Sequence, residues 1–279
     1  RSGPLIELDP HDFIECYRLN VLTAFMSSKA VQPIMKAQGK GNIFLHMGTA
    51  TGRKKSVLAA QIFAATGQTC IAGSRLLVQE SIHDEFVEKV VDLAKQARMG
   101  DPANMETQVG PVTNVPQLET VLNYIEIAKN EGAETGLGGG RAERPECGDG
   151  WFVEPTIFTG VKNNMRIAQE EVFGPVLSVI PFKDDEEALA IGNDIIYGLA
   201  SGVWTQNIGR AITMAEKLKA GIVWVNTYRA VSYLSPFGGY KRSGIGRESG
   251  QEMIKEYLQQ KSVWIETSNA DAPNPFVLR

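Results

Sequence analysis

Apolar residues recur at helical spacing through much of the chain. Phe13, Tyr17, Val21, Leu22, Phe25, Met26 and Ala30 predict one long helix over residues 9–38. Asp9 stands as its N-cap with Pro10 at the first helical position, and Pro33 sets a kink or break late in the run. Gly39 and Gly41 stop it; residues 42–47 read as a short apolar strand and 48–55 as a polar loop. The small residues of 56–65 predict a buried helix ending near Gly67, followed by a strand at 76–78. Residues 81–98 are amphipathic, with Phe86, Val90, Val91, Leu93 and Ala94 on the apolar side and Ser81 and Asp84 spaced as a capping box. Further helices are predicted at 116–129, closed by Gly132, from the acidic run 184–187 onward, and at 207–220 before Gly221. Strands are predicted near 151–153, 176–181, 222–225 and 261–266. This alternation of helices and strands, without an internal repeat, argues for an α/β layered fold.

Composition narrows the picture. The 279 residues are 43% hydrophobic and 22% charged, an ordinary globular balance that excludes collagen-like and wholly disordered chains. At roughly 150 residues per domain the length allows about two domains. A formal net charge of −4 gives no global electrostatic reason to bind nucleic acid. No run reaches the roughly 18 apolar residues of a membrane helix, so no membrane partner is expected. Cys16, Cys70 and Cys147 are odd in number and far apart, neither a disulfide framework nor a metal ligand set, and the expected location is the reducing cytoplasm. The chain opens on Arg1, which reads as processed, tagged or cut from something longer.

Few motifs point to chemistry. The glycine clusters 136–140 and 244–246 begin like dinucleotide fingerprints but lack the last glycine and the strand–helix setting, so both read as loops. Tyr257 and Lys261 have the spacing of a catalytic pair but no cofactor fold before them. His46 and His83 show no ligand spacing; His46 reads as semi-buried and His83 as solvated. Cys70 differs, because it lies among small residues between a helix and a strand, where a substrate carbonyl has room and a flanking N–H can serve as an oxyanion donor. From the residues alone an inert buried thiol and a nucleophile both stand, the inert thiol being the commoner state of a free cysteine.

A resemblance shifts that balance. Phe63-Ala-Ala-Thr-Gly-Gln-Thr-Cys70, Gly110-Pro-Val, Glu154-Pro-Thr, Glu170-Glu171-Val-Phe173-Gly-Pro-Val, Tyr197-Gly-Leu-Ala, Asn226-Thr-Tyr and Pro236-Phe-Gly-Gly-Tyr-Lys-Arg-Ser-Gly follow one another over residues 56–267. In order and spacing they resemble the catalytic domain of the aldehyde dehydrogenase superfamily. The resemblance implies an α/β fold with a mostly parallel sheet flanked by helices, here with an N-terminal helix–strand addition. It implies Cys70 as the thiolate that attacks a carbonyl, Glu171 and Phe173 as vestigial cofactor-binding residues, and Thr69 and Phe237 in the substrate pocket.

The departures from the family shape the functional expectation. Most of the cofactor domain that precedes the catalytic one in the family has no counterpart here, nor does the Glu-Leu-Gly-Gly motif with its general base; Gln38 to Gly41 offers no carboxylate. Residues 1–55 instead resemble a helix and strand of a short-chain dehydrogenase, which suggests a chimeric or truncated chain whose added unit covers a sheet edge. Residues 268–279 form a tail. The expected activity is then that of a cofactor-independent esterase on small acyl esters through Cys70 and a thioester, with no cofactor and with Glu171 a weak candidate for activating the deacylating water. NAD- or NADP-dependent aldehyde oxidation and an inactive oligomerising scaffold are the alternatives. The apolar segment 262–266 resembles the one that pairs subunits in the family, so a homo-oligomer is expected.

Overall fold

The computed structural model describes residues 62–271 and 274–277 in full, together with the backbone of residues 43–46. The helix expected over 9–38, the loop 48–55 and most of the helix expected over 56–65 lie outside the described residues. Seven strands form one sheet: β1 (Ile43–His46), β2 (Arg75–Gln79), β3 (Glu134–Leu137), β4 (Thr156–Thr159), β5 (Val176–Phe182), β6 (Ala200–Trp204) and β7 (Ile222–Val225). Their spatial order is β3-β4-β5-β2-β1-β6-β7. Strand β5 runs parallel to β4 on one side and to β2 on the other, and β6 runs parallel to β7. The pairings of β1 with β2 and with β6, and of β3 with β4, are antiparallel, so the sheet is mixed.

Strand β1 was expected to cover an edge. It lies inside the sheet instead, pairing Phe44 with Leu77 on one side and with Val203 on the other. Both sets of its backbone groups are thereby used, and the free edges fall to β3 and β7.

Helices α1 (His83–Ala94), α2 (Val115–Asn130), α3 (Arg166–Gln169), α4 (Asp185–Asn193) and α5 (Ile208–Lys217) flank the sheet. Three of them start where the sequence provides an N-cap: the side chains of Asn114, Asp184 and Asn207 accept from the backbone N–H three residues on. The capping box at Ser81 does not form, because residues Glu80–Ile82 make a 3-10 turn and Ile82 stands before α1 without a side-chain cap. His83 is not solvated; its Nδ1 meets Asp84 Oδ1 at 2.8 Å and its Nε2 is buried.

The alternation along β4 and β5 divides the core into two layers. Ile157, Leu177 and Val179 pack with Phe63, Phe86 and Val90 of the α1 side. Phe158, Val176 and Ile180 pack with Val121 and Ile125 of α2. Two expected strands are absent from the described residues. Val153 forms only an isolated bridge to Arg141, and residues 261–266 run without a strand partner, leaving Trp264 94% exposed. Conversely, Gly136 and Leu137, expected in a loop, belong to β3, an exposed edge strand with a register shift after Thr135.

Candidate active site

The segment leading to Cys70 is shaped by backbone strain and close approach. Phe63 is buried at the end of a helical turn, and Ala65, Thr66 and Gly67 then follow with φ of 49°, 57° and 69°. Left-handed backbone at three successive residues reverses the chain tightly. A Cβ on Gly67 would lie 1.9 Å from the carbonyl oxygen of Gly174, so only glycine lets this loop meet the loop of residues 170–174. Polar side chains fix the rest. Thr66 Oγ1 donates to Gly110 O at 2.9 Å, Gln68 Nε2 donates to Pro111 O at 3.3 Å, and Gln68 Oε1 accepts from Thr113 N at 2.8 Å. A turn from Thr69 O to Ala72 N, 2.7 Å, then closes around Cys70.

Cys70 is exposed at this turn, and its own backbone N–H makes no hydrogen bond within the described residues. On its far side the chain enters β2 through Arg75, which is fully buried. Arg75 donates to Asn163 Oδ1 at 2.8 Å, Ile191 O at 3.0 Å and Gly192 O at 3.1 Å, and burial pulls its pKa down to about 10. The turn that carries Cys70 thus hangs between a glycine clamp and a buried cation, both rigid supports.

Cys70 and Thr69 open onto a cleft that Glu171 and Phe173 also line. Two adjacent carboxylates there have opposite environments. Glu170 accepts from Arg166 at 2.7 and 2.8 Å and from Tyr124 Oη at 2.8 Å, and the Arg166 guanidinium, with the Tyr124 hydroxyl, holds it below the usual carboxylate range. Glu171 has no hydrogen-bond partner among the described residues, and desolvation raises its pKa although its surface is exposed. Phe173 sits at φ 54° and is 37% exposed. Gln117 in the first turn of α2 fixes this pair by donating to Val172 O at 3.0 Å and Phe173 O at 3.1 Å.

Phe237 does not line that cleft. It packs beneath the turn, against the cluster of Ile71, Ala200 and Trp224, and its backbone pairs with Glu248. Tyr257 is 80% exposed in a 3-10 turn and belongs to no site. Cys147 is buried and burial pushes its thiol pKa up, the profile of an inert cysteine.

Several supports were not singled out in the sequence. Tyr228 Oη donates to Ile71 O at 2.5 Å, its ring lying edge-on to Trp224 at 4.8 Å. Asn226 closes the end of β6, accepting from Thr205 N at 2.9 Å and donating to Thr205 O at 2.7 Å. Both lie in the Asn226-Thr-Tyr motif, so the motif marked the place but not the roles. Gln68 and Gln117 carried no periodic signal.

The fold thus brings an exposed thiol on a clamped turn into one cleft with a carboxylate that has no hydrogen-bond partner among the described residues. The model of the aldehyde dehydrogenase family matches residues 21–263, and the chain belongs to that family. A betaine aldehyde dehydrogenase from Brucella anthropi is 44% identical over 211 residues, 76% of this chain and 43% of the relative. An aldehyde dehydrogenase from Emericella nidulans is 45% identical over 202 residues, 72% of this chain and 40% of its own length. Among solved structures, betaine aldehyde dehydrogenase from Staphylococcus aureus in complex with NAD+ is 44% identical with a TM-score of 0.72, covering 76% of this chain and 42% of that one. The indole-3-acetaldehyde dehydrogenase of P. syringae, in complex with NAD+ and IAA, is 45% identical with a TM-score of 0.70, covering 75% and 42%. The chain therefore spans about two-fifths of the length of the relatives it matches.

These findings correct the functional expectation. The hydrolase reading, a cofactor-independent esterase acting on acyl esters, is overturned, because the relatives are aldehyde dehydrogenases. The expectation of no cofactor falls with it, since the matched structures hold NAD+. The error lay in treating family segments without a counterpart here as lost chemistry, although the residues around Cys70 keep the dehydrogenase pattern. The family match also begins at residue 21, inside the segment read as short-chain-dehydrogenase-like, and none of the relatives named above is of that kind. Among the described residues no helix is long and apolar enough to cross a membrane, and no group of metal-binding side chains is found.

Proposed function

We propose that the chain oxidises an aldehyde to a carboxylic acid with NAD+ or NADP+, using Cys70 as the nucleophile. The observation that carries this reading is the single cleft shared by the exposed Cys70 thiol and the unpaired Glu171 carboxylate. The donor set suits a nicotinamide dinucleotide: Glu171 has free acceptor capacity for ribose hydroxyls, and the exposed ring of Phe173 offers an apolar face beside it. When bound, the oxidised nicotinamide supplies the hydride acceptor.

The residues of the chain do the rest. The Cys70 thiolate attacks the aldehyde carbon, and the unpartnered N–H of Cys70 stabilises the oxyanion that forms. With the hydride acceptor bound, the Cys70 sulfur would be left holding the acyl group as a thioester, which water hydrolyses to the acid and the free thiol. Thr69 borders the reacting atoms, while Phe237 supports the turn from below. Residues 56–267 act as the catalytic domain, with 1–55 before it and 268–279 as a tail; the short-chain-dehydrogenase-like character of 1–55 rests on its own motifs. The exposed Trp264 and Ile265 support self-association as a homo-oligomer, and unpaired cysteines suit a cytoplasmic setting.

The test is the appearance of NADH or NADPH when the protein meets an aldehyde and oxidised cofactor. The wild type forms reduced cofactor, and Cys70→Ala forms none above background. Equal rates in the two proteins, or no reduced cofactor across a panel of aliphatic and aromatic aldehydes, would sink the assignment.

A further inference from the structure

Arg229 is held from both sides beside the reactive turn. Tyr228 before it donates to the carbonyl of Ile71, the residue that follows Cys70, and Ala230 after it accepts from Trp224 Nε1 at 3.0 Å. Between these two anchors Arg229 adopts φ 61°, left-handed backbone that a residue with a long side chain rarely takes. Such strain persists only where the surroundings impose it. The guanidinium is half-buried, and its Nε is shielded from solvent without a hydrogen-bond partner in the described residues. Desolvation pulls its pKa down to about 10, and the groups acting in the opposite direction are Tyr228 and Cys70, with no carboxylate among them. Arg229 does not line the cleft of Glu171 and Phe173, and among the described residues no ion pair to it is found. A half-buried guanidinium without an anion is half of an ion pair, and its planar fork matches a carboxylate.

We propose that Arg229 is a specificity-determining residue that receives a carboxylate, or an anionic group of similar shape, on the aldehyde substrate and so sets the carbonyl against Cys70. The substrate class is then an aldehyde with an acidic group, such as a semialdehyde, and aldehydes with a cationic group are disfavoured. This rests on Cys70 being the nucleophile, and its test must separate the two ideas.

Alkylation of Cys70 does so without cofactor or turnover. Iodoacetate and iodoacetamide deliver nearly the same group to the Cys70 sulfur, each releasing iodide, but only iodoacetate carries a negative charge. The site is read by peptide mass spectrometry, with Cys70→Ala as control. Relative to a free cysteine, the wild type favours iodoacetate. In Arg229→Gln the ratio of the two rates falls about fivefold or more, while Arg229→Lys keeps most of it. The iodoacetamide rate at Cys70 stays within about twofold across the three, which also shows that the turn is intact. In the wild type alone, added salt lowers the ratio, a readout that needs no variant. A ratio unchanged in Arg229→Gln and by salt overturns the anion site and leaves the nucleophile standing. A Cys70 inert to both reagents overturns the nucleophile and the anion site with it.

Discussion

At the scale of single residues, the site turns on what a side chain lacks as much as on what it touches. Glu170 and Glu171 are neighbours in sequence, yet one is held as an anion by Arg166 and Tyr124 and the other stands at the cleft without a partner among the described residues. A carboxyl whose folded pKa lies above its ordinary value of 4.5 binds a proton more tightly in the folded state than in the unfolded chain. Stability contributed by that proton is present at low pH and is lost as pH rises through 4.5 toward the raised value. Glu171→Gln removes this loss. Its melting temperature, relative to the wild type, is expected to rise as pH climbs through the carboxylate range, and its KM for the dinucleotide to rise as well. Thermal melts across pH and cofactor titrations check both, and a relative stability independent of pH contradicts the assignment of Glu171 as desolvated. Cys70 illustrates the limit of sequence at this scale: its small neighbours suggested room for a substrate, but its exposure, with an N–H that makes no hydrogen bond among the described residues, is a fact of the folded turn.

At the scale of elements, the start of α2 serves the cleft. Asn114 accepts from Gln117 N at 2.9 Å and holds the first turn in place, and Gln117 then reaches across to the carbonyls of Val172 and Phe173. The cap is therefore linked to the position of Phe173. Asn114→Ala is expected to lose about 1 kcal/mol of stability in chemical denaturation. It should also raise KM for the dinucleotide more than it lowers the alkylation rate of Cys70, since the turn that bears the thiol is anchored separately through Gln68. Helices of this kind were legible in the sequence, because a 3.6-residue period is a local signal, although the cap at Asn114 was not singled out. The strands were less so. β6 is small-residue backbone rather than an alternating run, β3 is an edge strand of exposed residues, and residues 261–266 have strand composition without a strand to pair with.

At the scale of the whole molecule, β1 joins the two halves of the sheet, with β2 on one side and β6 on the other. Without it, β6 and β7 have no hydrogen-bonded link to the rest. Phe44→Pro removes a backbone donor in the middle of this strand, which an interior strand does not tolerate. Cooperative unfolding is expected to be lost, with the Cys70 turn, carried into β2, loosened as well; a single unfolding transition at wild-type midpoint would refute the central place of β1. The expectation that this strand covered an edge came from reading it as an addition, whereas its pairing partners lie 29 to 35 residues away on one side and 157 to 161 on the other.

By itself the sequence determined the four longer helices among the described residues and the order of motifs around Cys70, because each is written in residues a few positions apart. It also determined the family, through those motifs, while the inference from what was missing led to the wrong chemistry. Tertiary structure alone decided the rest: β1 inside the sheet, the carbonyl of Gly174 against Gly67, Tyr228 anchored to Ile71 across 157 residues, and Arg229 near Cys70 with no partner for its Nε among the described residues. Such contacts join residues distant in the chain, so they follow no period and leave no local trace; they exist only once burial has drawn the segments together.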